Sequence, residues 1–226
     1  METFELVYKV FIKDDAWITV LNGLWATVQI SALSLFFGTL LGATICFCRM
    51  SKIKPVEIFA RIYISIIRGS PVLMLLMLLF YGIFAKSGIS PLAVAVITFS
   101  MHTAAYVAEL LRSALSAVDK GQIEAARTLG FSKIQAFKIV TFPQIVRIAK
   151  PVYQSTVINL IQWTSVVGYV TITDLTRVIN NIASRTMQPM ITIIGGMIIY
   201  LALSYVVHKI FIWTEQREKI RRGESL

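Results

Sequence analysis

The chain has 226 residues, 56% of them apolar and only 15% charged, with a mean hydropathy of +0.72. Soluble domains carry roughly 25% charged residues, and here the apolar residues fall in runs of about 20 or more, the length that crosses a hydrocarbon core. This excludes a free soluble enzyme, and the net charge of +10, which on a soluble protein would suggest nucleic acid, reads instead as the Lys and Arg excess of cytoplasmic loops.

Residues 1 to 16 are short, mixed and acidic at Asp14 and Asp15. No basic segment precedes an apolar core there, so no cleaved signal peptide is expected. The first span runs from about Trp17 to Cys48. At 1.5 Å per residue it reaches roughly 48 Å, so it must tilt or protrude from a ~30 Å core. It carries Asn22, Gln29, Ser31, Ser34 and Thr39, and its Gly38 and Gly42 form a G-x-x-x-G step suited to close helix packing. Cys46 and Cys48 lie within it and read as inert packing. Arg49, Lys52 and Lys54 mark its cytoplasmic end.

Pro55 opens a helical, initially amphipathic segment in which Glu57 and Arg61 stand at i, i+4 and can pair. It leads to a break at Arg68-Gly69-Ser70-Pro71. The second span runs from about Pro71 to Ala85, with its helix starting before Arg68. The third runs from Pro91 to about Val118 and contains His102, Thr103, Tyr106 and Glu109.

Gly121 to Pro143, GQIEAARTLGFSKIQAFKIVTFP, follows. Gly130 stands where one helical pattern stops. Ser132 and Gln135 make an S-x-x-Q capping box that starts another helix, and Pro143 is expected to end it. A plain loop between spans does not need two capped helices, so function is expected to run through this segment. The fourth span covers about Pro151 to Val170 and holds Gln154, Asn159, Gln162, Thr164 and Ser165. A polar interval, Thr171 to Gln188, precedes the fifth span, Pro189 to about Trp213, and a charged tail.

Five spans put the termini on opposite sides. With the N-terminus outside, 17 of the 22 basic residues fall in the cytoplasm, and the exceptions are Lys9, Lys13, Lys86, Arg177 and Arg185. The expected topology is therefore N-terminus out, C-terminus in, with the Gly121 to Pro143 stretch cytoplasmic. Polar residues inside spans are functional candidates because lipid burial is costly; Asn22, Gln29, His102, Asn159, Gln162 and Thr164 are the candidates for a substrate path. Glu109 reads as a gating or structural partner of Arg112 on the next turn. An intramembrane protease is disfavoured, because the chain has only His102 and His208, no H-E-x-x-H and no G-x-S-x-G. A self-contained, ATP-independent carrier or channel is disfavoured by the absence of a visible internal repeat.

Several elements in one order resemble the permease subunits of polar amino acid ATP-binding-cassette importers, the histidine/glutamine/arginine-type permease family. They are Arg68-Gly69-Ser70-Pro71, Ala105-Tyr106-Val107-Ala108-Glu109, Lys120 to Gly130 with its Glu124-Ala125-Ala126, Thr141-Phe142-Pro143, Thr164-Ser165 and Asp174-Leu175-Thr176-Arg177. The resemblance covers about residues 55 to 180. It implies an all-α membrane protein with five transmembrane helices and a type I importer architecture. Residues 1–226 would form a single transmembrane permease domain whose cytoplasmic coupling-helix loop is at about 119–150.

By the same resemblance Glu124, Ala125, Ala126, Arg127 and Gly130 would contact the ATPase, and Arg68 and Glu109 would be gating or structural. The implied partners are ATP-binding cassette ATPase subunits, a second permease subunit as homodimer or heterodimer, an extracytoplasmic solute-binding protein, the amino acid and membrane lipid, but no nucleic acid. The implied mechanism is alternating access in the cytoplasmic membrane. The chain has no G-x-x-x-x-G-K-[ST] loop, so it is expected to be non-catalytic and to hold no metal or cofactor, with ATP and Mg on the partner ATPase. An importer of another small polar metabolite is the alternative within the same architecture. One departure bears on the cargo: Gln162-Trp163 stands where many members of the family have Lys-Asp, which favours a neutral or less charged side chain.

Overall fold

Ala16 begins a 34-residue helix, α1, that runs unbroken to Arg49. In this computed structural model the described residues are 5, 8–12 and 15–222, with side chains described to residue 217 except that of Lys9. Lys13, Asp14 and the last four residues of the tail lie outside them. Among the described residues all regular structure is helical. After a π-helical turn at Tyr8–Ile12 and α1 come α2 (Lys54–Gly69), α3 (Val72–Met77, continued by a π-helical turn at Leu78–Ile83) and α4 (Pro91–Ser116). Then follow α5 (Lys120–Thr128), α6 (Lys133–Ala136, continued by a π-helical turn at Phe137–Thr141) and α7 (Phe142–Trp163, continued by a 3-10 turn at Thr164–Val170). The last two are α8 (Leu175–Thr186) and α9 (Pro189–Arg222).

The helices α1, α4 and α9 are each long and apolar enough to cross a membrane, and α2 with α3 makes a fourth crossing if the pair is one broken span. The interruption falls at Ser70-Pro71, where proline cannot donate to a helical ladder and pushes the preceding residue to an extended backbone; Ser70 has φ −98° and ψ 138°. The helix expected to begin before Arg68 is present but does not run on into the second span. The expected fourth span, Pro151 to Val170, begins earlier, at Phe142, and turns 3-10 at Thr164.

One expectation is corrected. Pro143 does not end a helix: it is the second residue of α7. The π-helical turn before it has Phe142 N–H donating to Phe137 O, one residue longer than an α-helical bond. That shift, and the tolerance for proline in a first turn, carries the helix past the ring. The polar interval 171–188, for which the sequence predicts no element, is largely helical. It contains α8, a strongly amphipathic helix capped by Asp174, whose carboxylate accepts from Thr176 N at 3.0 Å and Arg177 N at 3.1 Å. Asp174 is fully buried; burial pushes its carboxyl up, while those backbone N–H groups pull it back toward the charged form.

The chain packs as two units. The first holds residues 1–35, 71–99 and 157–226. One of its cores joins Ile30, Leu76, Phe99, Leu160, Val167 and Val170. Another packs Val20 of α1 against Leu175, Val178, Ile179 and Ile182 of α8, with Ile199 and Tyr200 of α9 alongside. The second unit holds residues 36–70 and 100–156. Its cores join Ile45, Cys46, Ala60, Ile64, Ala104 and Ala108, and Leu110, Ala114, Val118, Ile145 and Ala149. The Gly38 and Gly42 step does pack closely. A Cβ at Gly38 would sit 2.8 Å from Thr103 Cβ, and one at Gly42 would sit 2.7 Å from Val107 Cβ and 2.9 Å from Ala104 O. Those distances are too short for any side chain, so the backbones of α1 and α4 meet through the glycines.

Candidate functional site

Two sets of expected residues lie in the second unit: the capped loop and the Arg68 and Glu109 pair. The loop is built by local chemistry. Asp119 accepts from Gly121 N at 2.8 Å and starts α5. At its far end, Gly130 N donates to Arg127 O and Phe131 N to Ala126 O. That double closure is a Schellman motif, and it needs a left-handed residue at its centre; Gly130 has φ +90°. Ser132 then opens α6 with both halves of the capping box in place. Gln135 N donates to Ser132 Oγ at 3.2 Å, and Ser132 N donates to Gln135 Oε1 at 2.8 Å.

The five expected coupling residues separate by role. Glu124 and Ala125 are exposed, whereas Ala126 is buried at 6% exposure. The small side chain at 126 therefore serves packing within the chain, and only that at 125 is available to a partner. Arg127, exposed and among the residues expected to contact the ATPase, donates from Nη1 to Phe131 O at 2.6 Å and ties the turn from outside. Around this frame stands an apolar rim that sequence reading did not single out: Leu129, Ile134 and Ile139 are 79%, 69% and 58% exposed, and Phe137 and Phe142 are exposed beside them. Apolar residues in a polar, well-capped loop were the signal available. Exposed large apolar side chains on a capped polar loop mark an interaction surface.

The second site is a cavity of about 470 Å³ lined by Arg68 of α2, Tyr106, Glu109 and Ser113 of α4, and Val152 and Thr156 of α7, among others. The Arg68 guanidinium sits 5.0 Å from the Tyr106 ring centroid. Arg112 donates to Glu109 through Nε at 3.0 Å and through Nη2, both to Oε1. The expected Glu109–Arg112 pairing is therefore present, and Arg68 and Glu109 are brought to one cavity although 41 positions separate them. Tyr106, Ser113 and Thr156 were missed as site residues. Nothing local to them in sequence marks their convergence.

The six substrate-path candidates do not form one cluster. His102 belongs to the second unit, is buried, and lies tilted against Tyr106 with ring centroids 5.2 Å apart. Asn22, Gln29, Asn159, Gln162 and Thr164 belong to the first unit. There Asn22, Asn159 and Gln162 are exposed and Gln29 is half-buried. Thr164 is fully buried, and its hydroxyl donates to Ile161 O at 2.6 Å. Asn159 and Gln162 share a face of α7 at i, i+3. Among the described residues no group of His, Cys, Asp and Glu is placed to hold a metal.

Comparison with known proteins puts this geometry in context. The sequence is 36% identical over 202 residues to the probable amino-acid ABC transporter permease protein YckA of Bacillus subtilis (strain 168), covering 88% of this chain and 89% of that one. It is 31% identical over 199 residues to the L-cystine transport system permease protein TcyB of the same organism, covering 87% and 85%. In structure it is similar to a chain of a solved amino acid ABC transporter crystallised with histidines, with a TM-score of 0.79 and 32% identity over 88% of this chain and 94% of that chain. The family described as "Binding-protein-dependent transport system inner membrane component" matches residues 22–219. The all-helical fold of type I importer permeases expected from the sequence is therefore present, and this chain belongs to the family of permease subunits of binding-protein-dependent ABC importers.

Proposed function

We propose that the chain is the membrane-spanning permease of an ATP-driven amino acid importer, working by alternating access between an extracytoplasmic binding protein and cytoplasmic ATPase subunits. The observation that carries this reading is the loop at 119–142. Two short helices, locked by a Schellman turn and a capping box, present Glu124, Ala125 and an apolar rim outward. A rigid, capped, partly apolar protrusion transmits displacement, whereas a flexible loop would absorb it. Because the chain carries no phosphate loop, the displacement would come from outside. Closure of the ATPase dimer would push α5 and α6, and their rigid connection to α7 would bias one two-state element from the cytoplasmic end. The loaded binding protein would bias the same element from the other side.

Amino acid cargo is supported by the transport relatives, and the cavity in the second unit is compatible with it. Arg68 and Glu109 supply one cation and one carboxylate for the two charged ends of an amino acid, and Ser113 and Thr156 add hydroxyls. We place the N-terminus outside and the C-terminus in the cytoplasm from the distribution of basic residues. The test is ATPase activity of the complex reconstituted with its ATPase and binding protein, read against a panel of amino acids. At least one amino acid should stimulate hydrolysis several-fold. A flat response across the panel removes the amino acid assignment, and a chain that captures no ATPase at all removes the importer mechanism.

A further inference from the structure

A concavity of about 360 Å³ runs along the C-terminal part of α9, lined by Tyr205, Val206, Lys209, Ile210 and Trp213. It has no place in the transport reading. Lys209 Nζ lies 5.2 Å from the Tyr205 ring centroid, and the Arg217 guanidinium lies 3.9 Å from that of Trp213, one turn on. No carboxylate lines it, and among the described residues neither Lys209 nor Arg217 forms an ion pair. Glu215 stands two positions before Arg217, a spacing that does not place two residues on the same helical face.

The depth of this group follows from arithmetic. α9 starts at Pro189, and about 20 residues at 1.5 Å each cross a ~30 Å hydrocarbon core. The core therefore ends near Lys209. The wall below the concavity is apolar and exposed, with Met197, Ile198 and Leu201 at its surface. Tyr205 and Trp213 bracket the boundary, the position amphipathic rings take at a membrane interface. A guanidinium stacked on an indole keeps its in-plane N–H donors pointing away from the ring.

We infer that this concavity binds an anionic phospholipid. The phosphodiester headgroup accepts from Lys209, Arg217 about 12 Å further along the helix adds a second cation at headgroup level, and one acyl chain lies along Val206 and Ile210 toward Leu201. Charge and depth both argue for this occupant. An acidic protein partner would not need the apolar wall, and a neutral lipid would not need two cations. Cations at this level attract anionic lipid in a salt-dependent manner.

The test uses the full chain with its ATPase subunits in nanodiscs of neutral lipid, doped with brominated phosphatidylglycerol or brominated phosphatidylcholine. Trp213 quenching is read as the difference between the native chain and Trp213→Phe. The anionic lipid should half-quench at a mole fraction about tenfold lower than the neutral one, and Lys209→Gln with Arg217→Gln should bring the two lipids together. Equal half-quenching of Trp213 by the two lipids overturns the inference, and that comparison needs only the conservative Trp213→Phe variant, not the double substitution. A preference that survives the double substitution also overturns it. So does absent quenching together with loss of ATPase subunits from the double variant, which would assign the face to a protein contact.

Discussion

Gly130 is the position where the proposed drive of this permease can be tested without a steric clash. A Cβ added there meets no atom within 4 Å, so substitution has room. What it lacks is a permitted backbone: φ is +90°, at which a residue with a Cβ is strained by about 1–2 kcal/mol. Because +90° lies beyond the usual left-handed well near +60°, the upper part of that range applies. Two kcal/mol is roughly a 30-fold loss in the population of the closed turn. It falls on the two hydrogen bonds, to Arg127 O and Ala126 O, that join α5 to α6. The series Gly130→Asn, Gly130→Ala and Gly130→Val should therefore lose binding-protein-stimulated ATPase activity in that order, since Asn tolerates the left-handed region best and a β-branched residue worst. Gly130→Asp should release the ATPase subunits while the chain remains in the membrane. The assay pairs ATPase stimulation with the amount of ATPase co-purified, both normalised to permease in the membrane. Full stimulation in Gly130→Val, at native abundance, would refute the claim that this turn transmits the drive.

Three other perturbations follow from packing. Gly42→Val should lower stability by about 1–3 kcal/mol through overpacking, because its Cβ would meet Val107 Cβ at 2.7 Å and Ala104 O at 2.9 Å. Earlier reaction of buried Cys46 with a thiol dye on heating reads the change, and an unchanged melting curve would exclude the close helix contact. Asp174→Ala removes the cap of α8 and should cost about 1–2 kcal/mol, whereas Asp174→Asn keeps an acceptor and most of that stability; equal melting of the two variants would contradict a capping role. Ala125→Gln should reduce ATPase co-purification at normal membrane abundance, and Ala126→Gln should reduce abundance itself, because only the second is buried. If the two behave alike, the division between an outward and an inward alanine is wrong.

What was legible in the sequence was local. The capping box of Ser132 and Gln135, the left-handed Gly130, and the Glu57–Arg61 and Glu109–Arg112 pairs each depend on residues within five positions of one another, and each is present. Glu57 shows the limit of that reading, since Arg49 and Lys54 also reach its carboxylate, and the corner between α1 and α2 decides the Arg49 contact. The Pro143 reading failed because proline signals a missing donor but not the π-helical turn that can absorb it. α8 escaped notice because a 12-residue amphipathic helix between two spans has the composition of a loop, and its apolar stripe acquires meaning only through the packing of Val178, Ile179 and Ile182.

The same distinction separates how the transporter is driven from what it carries. The turn at Gly130 and the cap at Ser132 can be specified by a dozen consecutive residues, so the proposed driving element could serve permeases with different cargoes. The cavity of Arg68, Tyr106, Glu109 and Thr156 draws on three helices, and a change at any one of them alters its charge or shape without touching the loop. Within it both Arg112 donors fall on Glu109 Oε1, so the carboxylate faces its neighbour with one oxygen while the residue still lines the cavity. Arg112 thereby orients Glu109, and removing it would change the charge of the cavity proposed for cargo while leaving α5 and α6 intact. Arg112→Gln should consequently shift the concentration of amino acid that stimulates hydrolysis, with ATPase co-purification unchanged; loss of the ATPase in that variant would show that cavity and loop are not separable in this way.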